Sequence, residues 1–258
     1  MAEPAPVLAT RALCRSFGAV AAAVDVNVAV AEAELVGVIG ANGAGKTTFI
    51  NMVTGYLRPT AGQIVFRGRD ITGMPPRRIA REGVCRSFQV SQLFGSLSVL
   101  DNMLIALAML REGSLDWFAP LHGAQRSAQA RAELARYGIE EYATRQVATL
   151  PQGVKKLLDI AMATVSQPAL LLLDEPTSGV ATQEKFALMD AVMAPLLAAR
   201  AACLFVEHDM EIVERHAGRV VAFYEGRVLA DGPTAQVLDH PEVRRYVIGA
   251  ELHRKARA

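Results

Sequence analysis

The sequence contains few cysteines and carries almost no net charge. Its three cysteines, Cys14, Cys85 and Cys203, are scattered and show no C-x-x-C spacing. This pattern is unlike a disulfide framework or a cysteine metal site, and it indicates small buried side chains in a reducing compartment. The 27 basic and 26 acidic residues give a net charge of +1. Because neither sign dominates, the composition gives no general argument for a nucleic-acid partner, and we expect any anion site to be local.

Long apolar runs are lacking as well. No uninterrupted apolar stretch approaches the ~20 residues that a membrane-spanning helix needs. The first residues, MAEPAPVLATR, place no basic segment before an apolar one, and so they do not resemble a secretory signal. The 258 residues, of which 52% are hydrophobic, are enough for a large buried core. Since no repeat or low-complexity linker divides the sequence, we expect one compound domain over residues 1–258.

A glycine-rich segment, GANGAGKTT at residues 40–48, follows the apolar residues 35–39. Glycines let successive backbone N–H groups approach a phosphate chain closely. Lys46 supplies a positive charge, Thr47 supplies a hydroxyl ligand for Mg²⁺, and the helix that begins near Thr48 adds the positive end of its dipole. The spacing favours a nucleotide phosphate site over the alternative, a surface turn without a ligand. The predicted nucleotide contacts are Asn42, Gly43, Ala44, Gly45, Lys46, Thr47 and Thr48.

Three continuous apolar runs, at residues 35–39, 170–173 and 204–206, predict strands that are buried on both faces of a parallel sheet. Polar residues follow each run, and open parallel sheets bind their ligands at the carboxyl ends of the strands. We therefore expect these polar residues to lie at one site. Residues 62–70 and 223–229 have the pattern of short antiparallel hairpins.

A helical segment interrupts this α/β pattern. Leu100, Leu104 and Leu107 recur at helical spacing, and residues 127–137 are rich in Ala, Arg and Glu. The sequence thus predicts an α/β fold with a mostly parallel sheet, an antiparallel β patch and an inserted α-helical subdomain. The predicted boundaries are residues 1–89 and 162–258 for the α/β core and residues 90–161 for the helical subdomain.

Two adjacent carboxylates, Asp174 and Glu175, follow the apolar run LLLL. One carboxylate for each task is the natural division: Asp174 would hold Mg²⁺, and Glu175 would orient or deprotonate the water that attacks the γ-phosphate. A solvated strand end is the alternative interpretation of an isolated Asp-Glu pair. The following Pro-Thr-Ser-Gly segment at residues 176–179 and the upstream phosphate loop favour the catalytic one.

Taken in order, these motifs resemble those of the ATP-binding subunits of ABC transporters. The resemblance covers nearly the whole chain and rests on CRSFG, GANGAGKTT, CRSFQ, LLLLDEP and VEHD. It implies a P-loop NTPase core of the ABC ATPase type, with ATP and Mg²⁺ as cofactors. It also implies that Phe17 stacks on adenine, that Gln89 contacts Mg²⁺ and the attacking water, and that His208 donates a hydrogen bond to the γ-phosphate. The expected catalytic residues are Lys46, Gln89, Glu175 and His208, and the expected metal ligands are Thr47, Gln89 and Asp174.

Residues 150–154, LPQGV, depart from the LSGGQ signature loop of this family, which contacts the γ-phosphate held by the other subunit of a dimer. Pro151 replaces a serine and has no backbone N–H, and Val154 replaces an amide. Ala181 stands where the family usually carries an aspartate. We therefore expect a complete phosphate loop but weakened surfaces toward a partner's site. The pair KK at residues 155–156 either compensates electrostatically or forms a solvated helix face.

Several stretches resemble the ATPases of importers for branched-chain amino acids and related polar solutes, among them FINMVTGYLRPTAGQIVFRGRDITG and VLDHPEVRRYVIGAEL. This resemblance implies ATP hydrolysis coupled to solute uptake at the cytoplasmic face of the inner membrane. The implied partners are a second, non-identical ATP-binding subunit, two membrane permeases and, indirectly, a periplasmic solute-binding protein, with no nucleic acid. Phe94 and Leu97 are either permease-docking residues or helical core.

Two other functions fit parts of the sequence. A soluble ABC protein that acts on DNA or ribosomes usually carries two ATPase units in one chain, a long coiled coil or a basic extension, and this sequence has none of these. A small-molecule kinase with a phosphate loop would lack the glutamate followed by Pro-Thr-Ser-Gly. We therefore favour the transporter interpretation.

Overall fold

The computed structural model describes residues 5–87, 93–109 and 122–249. In chain order its strands are β1 (Leu8–Phe17), β2 (Val20–Val26), β3 (Ala29–Val30), β4 (Leu35–Gly40), β5 (Ala61–Phe66), β6 (Arg69–Asp70), β7 (Val84–Ser87), β8 (Leu170–Asp174), β9 (Ala202–Val206), β10 (Arg219–Tyr224) and β11 (Arg227–Pro233). Its α-helices are α1 (Lys46–Val53), α2 (Pro76–Glu82), α3 (Val99–Met109), α4 (Ala124–Arg136), α5 (Gln152–Thr164), α6 (Lys185–Ala198), α7 (Met210–His216), α8 (Thr234–Asp239) and α9 (Pro241–Val243).

A six-stranded sheet in the order β11–β10–β4–β9–β8–β7 forms the centre of the molecule. Its strands pair in parallel, except that β11 pairs antiparallel with β10. Since β9 lies between β4 and β8, the strand before the phosphate loop and the strand before Glu175 are not direct neighbours. The register aligns Val206 of β9 with both Val38 and Asp174. The carboxyl ends of these strands therefore reach the same edge of the sheet.

The central strands are buried on both faces, as the continuous apolar runs predict. In β8, Leu171 and Leu173 pack into an apolar cluster that includes residues of α3, α4, α5 and α6. Leu170 and Leu172 pack into a second cluster, which includes residues of α1 and of the antiparallel strands. Successive side chains of a strand point to opposite faces, so each of the two faces needs its own apolar residues.

A second sheet is antiparallel, with the order β2–β1–β5–β6 and with β3 paired to β1. The antiparallel patch predicted from residues 62–70 corresponds to β5 and β6, but β1, β2 and β3 enlarge it on the amino-terminal side of the phosphate loop. Hairpins form within both predicted stretches, and they turn at Arg67–Gly68 and Glu225–Gly226. All four turn residues have positive φ, as tight two-residue hairpins require.

The predicted helical segment contains α3, α4 and most of α5. Tyr137, directly after α4, is buried, and its hydroxyl lies 2.7 Å from the hydroxyl of Thr164 in α5. Because α5 runs to Thr164, the predicted boundary at residue 161 falls inside a helix, and the division into core and helical subdomain remains a prediction. Within the described ranges, no helix has the length and apolar character needed to cross a membrane.

Candidate functional site

The phosphate loop connects β4 to α1 and is held in shape by close backbone packing. Gly45 has φ 104°, and a Cβ atom there would lie 2.6 Å from the carbonyl oxygen of Ala22. Only glycine fits such a position without moving the backbone. The N–H of Ala44 donates to the carbonyl of Ala41 over 3.1 Å, and Gly226 of the β10–β11 hairpin donates to the carbonyl of Ala44 over 3.0 Å. The loop is thus held by one hydrogen bond within itself and by another from the β10–β11 hairpin.

Lys46 begins α1 and is buried. Its ammonium group donates to the carbonyl of Gly40 and, over 3.1 Å, to that of Ala41. The cation therefore sits inside the curve of the loop. Asn42, Gly43 and Thr47 are exposed on the open side, whereas Ala44 and Gly45 are buried and Thr48 is half-buried. The loop presents an amide, a hydroxyl and backbone groups to solvent above a buried positive charge, which is suited to an anionic ligand.

Asp174 ends β8 and forms an ion pair that the sequence did not predict. Its Oδ2 accepts a hydrogen bond of 2.6 Å from Nη2 of Arg86 in β7. Both side chains are buried, with 7% and 8% of their surface exposed. Nη1 of Arg86 donates to the side-chain oxygen of Asn51 in α1. An arginine inside a strand of a buried sheet is the pattern that could have indicated such a pair, because an arginine is rarely buried without a partner.

Glu175 and His208 meet at the same edge of the sheet. Nε2 of His208 lies 2.9 Å from Oε1 of Glu175, and both side chains are about a quarter exposed or less. Glu175 adopts a left-handed backbone, with φ 49°, and its N–H donates to the carbonyl of Val206 over 3.1 Å. The structure thus brings together the predicted acid and the predicted histidine from two neighbouring strands.

Glu207, which the sequence analysis did not single out, is hydrogen-bonded to Thr177, two residues after Glu175, and to the backbone of His208. Its Oε1 accepts hydrogen bonds from the N–H and the hydroxyl of Thr177, at 3.0 and 2.8 Å, and its Oε2 accepts one of 3.2 Å from the N–H of His208. Burial raises the pKa of Glu207, and the hydrogen bonds from Thr177 oppose this shift. Glu207 therefore ties the segment after Glu175 to the segment that carries His208.

Lys156 of α5 is fully buried, so that the solvated helix face considered for residues 155–156 is wrong for Lys156. Burial lowers the pKa of Lys156, while the nearby carboxylates Asp159, Asp174, Glu175 and Glu207 act in the opposite direction. Asp159, also in α5, accepts a hydrogen bond of 2.5 Å from the hydroxyl of Ser87 in β7. The helix after the signature segment is thus connected to the strand that carries Arg86.

The other predicted site residues are placed as follows. Phe17 ends β1 and is 48% exposed, with the guanidinium of Arg15 4.7 Å from its ring centroid. Gln89 lies outside the described residues. Pro151 precedes the first residue of α5, and no side chain caps this helix. Phe94 is exposed and lies before α3, so that the helical-core alternative fails for this residue.

The donor set at this edge suits a metal that arrives with phosphates. Among the described residues, no group of three or more His, Cys, Asp and Glu side chains is arranged to hold a metal ion. Thr47 and Asp174 supply one hydroxyl and one carboxylate. Mg²⁺ in phosphate sites is typically bound by one or two protein oxygens together with the phosphates and water. The residues present therefore fit Mg²⁺ bound together with a nucleotide.

Comparison with known proteins agrees with this geometry. The family model described as ABC transporter matches residues 23–178. The chain is 36% identical, over 95% of its length and 98% of the relative's, to the high-affinity branched-chain amino acid transport ATP-binding protein LivG of Salmonella typhimurium. It is 34% identical, over the same shares, to the corresponding protein BraF of Pseudomonas aeruginosa.

A solved structure, the ADP conformation of an ATP-binding cassette of an ABC transporter, superposes with a TM-score of 0.83 at 26% identity. The match covers 94% of this chain and 98% of the solved one. The shared fold thus extends over nearly the whole chain and not over the phosphate loop alone. The chain belongs to the ABC transporter family, as one of its ATP-binding, ATP-hydrolysing cassettes.

Proposed function

We propose that this chain is the ATP-hydrolysing subunit of an importer for branched-chain amino acids or a related small polar solute. The proposal of ATP hydrolysis rests on one observation: Asp174, Glu175 and His208 lie at the same edge of the sheet as the phosphate loop. The solute class is supported by the printed names of relatives at 34–36% identity that match nearly end to end. A soluble ATPase acting on nucleic acid finds no support in these relatives.

The phosphate loop would hold the nucleotide. Backbone groups and side chains of Asn42, Gly43, Ala44, Gly45, Lys46, Thr47 and Thr48 would contact the phosphates, with Lys46 turning from the loop carbonyls toward the β- and γ-phosphates. Phe17 offers a half-exposed ring to adenine. Base stacking on an aromatic side chain contributes about 1–3 kcal/mol per base. The neighbouring Arg15 guanidinium would leave one ring face for that contact.

Hydrolysis would proceed by attack of a water molecule that Glu175 orients or deprotonates. Thr47, Asp174 and Gln89 would hold Mg²⁺, which neutralises developing charge on the phosphates when bound. His208 would donate a hydrogen bond to the γ-phosphate, and its contact with Glu175 would keep both side chains on one side of the reacting group. Glu207 would position both of them through Thr177 and the backbone of His208.

A second ATP-binding subunit would complete the site. At the cytoplasmic face of the inner membrane, two membrane permeases would couple ATP hydrolysis to the movement of the solute. Phe94, an exposed aromatic residue before α3, and the half-buried Leu97 are the candidate permease contacts. A periplasmic solute-binding protein would deliver the solute without touching this chain. In the signature segment, position 151 lacks the serine hydroxyl and position 154 lacks the side-chain amide, which supports a non-identical partner with a complete signature loop.

Restoring the signature chemistry should make a homodimer of this chain hydrolyse ATP faster. We expect the double change Pro151→Ser and Val154→Gln to raise turnover of the purified chain by at least about tenfold, because one preorganised donor at a developing charge is worth roughly 10²–10³ in rate. The serine introduced by the first change would also supply the missing cap of α5, which is worth ~1 kcal/mol of stability. Steady-state phosphate release measures the rate.

The matched control is Pro233→Ser, which changes the proline before α8 instead. This control should leave turnover unchanged. If the double variant hydrolyses ATP no faster than the parent, the signature segment does not limit the homodimer.

Solute transport is tested with the whole assembly. The chain and the membrane subunits of its transporter, reconstituted in vesicles with the solute-binding protein, should import labelled leucine, isoleucine or valine only when ATP is present on the side of this chain. Competition by unlabelled amides, urea and aromatic acids would define the solute range. ATP hydrolysis without uptake of a branched-chain amino acid or of any of these related solutes would reject the solute class while leaving the ATPase assignment intact.

A further inference from the structure

The ion pair between Arg86 and Asp174 occupies the carboxylate that is proposed as a Mg²⁺ ligand. Oδ2 of Asp174 lies 2.6 Å from Nη2 of Arg86, and both side chains are almost completely buried. A buried carboxylate without a compensating charge is strongly unfavourable. In the nucleotide-free chain, Arg86 therefore neutralises Asp174 and supplies a charge-assisted hydrogen bond.

Arg86 is fixed from three elements of the fold. It lies in β7, it contacts Asp174 at the end of β8, and its second nitrogen donates to Asn51 in α1. The ring of Tyr56 lies 5.9 Å from the guanidinium carbon. Because α1 begins with Lys46 and Thr47, this bridge holds the hydroxyl and the carboxylate of the candidate metal site in a fixed relation. A planar guanidinium suits such a bridge, since its nitrogen donors point in fixed directions.

A guanidinium beside the carboxylate also opposes a second cation. A divalent ion at Asp174 would lie within a few ångströms of the positive charge of Arg86, in a poorly solvated site where charges interact strongly. Nucleotide phosphates bring the negative charge that offsets this repulsion. A metal ion would thus approach Asp174 favourably only when nucleotide phosphates are bound.

We propose that Arg86 is a positioning residue that makes metal binding at Asp174 conditional on bound nucleotide, so that the metal enters with the phosphates and not before them. The proposal rests on the proposed role of Asp174 as a Mg²⁺ ligand. It fits the finding that the described side chains form no metal site of their own. It also assigns a purpose to a charged residue in a strand of the central sheet, where a buried apolar residue is the usual choice.

The test measures Mn²⁺ binding to the nucleotide-free, full-length chain by electron paramagnetic resonance of the free ion. We expect the parent to bind Mn²⁺ weakly and Arg86→Gln to bind it at least about tenfold more tightly, because the buried carboxylate then lacks its ion-pair partner. Mn²⁺ should also raise the melting temperature of Arg86→Gln more than that of the parent. Arg86→Lys, which keeps the charge, should behave like the parent.

Two controls locate the effect. Arg69→Gln removes an arginine from an exposed ion pair with Glu82 and should leave Mn²⁺ binding unchanged. The double variant Arg86→Gln with Asp174→Asn should lose the gain in affinity. If Arg86→Gln does not fold, Asn51→Ala replaces it, since this change frees the guanidinium from α1 and should tighten Mn²⁺ binding to a smaller extent.

The proposal is overturned if Arg86→Gln, or Asn51→Ala in its place, binds Mn²⁺ with the affinity of the parent, or if the gain persists with Asp174→Asn. Failure of the underlying assignment looks different. If Asp174→Asn leaves the Mg²⁺ dependence of ADP binding unchanged, Asp174 is not a metal ligand, whatever Arg86 does. If Asp174→Asn weakens that dependence while Arg86→Gln changes nothing, only the role of Arg86 is wrong.

Discussion

Glu175→Gln should lower ATP turnover by at least about 10²-fold, the lower range of the contribution of a positioned general base. The amide keeps the size of the side chain and can still accept a hydrogen bond, but it cannot take a proton from water. Binding of ATP should change by less than about twofold, because the carboxylate is not proposed to contact the phosphates. The measurement is phosphate release together with equilibrium binding of a fluorescent ATP analogue.

A matched control for this variant is Glu133→Gln, which changes a carboxylate of α4 that pairs with Arg136. Its turnover should equal that of the parent. Normal hydrolysis by Glu175→Gln would sink the assignment of Glu175, whereas loss of both binding and hydrolysis would point to a disturbed backbone around the left-handed residue.

Lys46→Ala should weaken ATP binding by roughly 10- to 150-fold. A hydrogen bond to a charged group contributes about 1.5–3 kcal/mol, and each 1.4 kcal/mol corresponds to tenfold in affinity. The variant also loses the bonds from the ammonium group to the carbonyls of Gly40 and Ala41, so the loop should become less ordered before any ligand binds. Titration of the purified chain with a fluorescent nucleotide measures the affinity.

Lys155→Ala is the control for this second change. Lys155 is half-buried in α5 and donates to the carbonyl of Ala148, away from the phosphate loop. The control should bind ATP like the parent. Equal affinities of Lys46→Ala and the parent would show that the loop backbone alone holds the phosphates.

Local patterns were enough to predict much of the fold. The apolar runs before Gly40 and Asp174 lie in strands that are buried on both faces, and the turn at Glu225–Gly226 falls where the hairpin was expected. These features depend on neighbouring residues in the sequence. The insertion of β9 between β4 and β8 is a long-range arrangement, and no periodicity in either run encodes it.

Strand β1 shows the same limit. Thr10 and Phe17 are its only β-branched or aromatic residues, and one of its partners is β5, which lies more than forty residues further along the chain. Local sequence propensities reflect only part of the free energy that stabilises this pairing, because the partner strand is distant in the sequence. Of the antiparallel sheet, the local sequence pattern therefore predicts only the last hairpin, which β5 and β6 form.

In the site, the sequence identified residues that carry chemistry but not those that position them. Asp174, Glu175 and His208 stand in recognisable motifs, and the structure brings Glu175 and His208 to hydrogen-bonding distance. Arg86 and Glu207 act through contacts with residues 88 and 30 positions away, and their partners are visible only in three dimensions. The sequence pattern that could have indicated these two residues is a charged residue inside, or directly after, a strand that is predicted to be buried.

The left-handed backbone of Glu175 places stability and catalysis in opposition at one position. A residue other than glycine held in that conformation stores on the order of 1–3 kcal/mol of strain, and glycine would release it. Selection for thermal stability alone would thus favour loss of the acid, and a stabilised descendant would hold ATP without consuming it. Engineering of a more robust cassette should keep position 175 fixed and seek its gains elsewhere, for example at the uncapped start of α5.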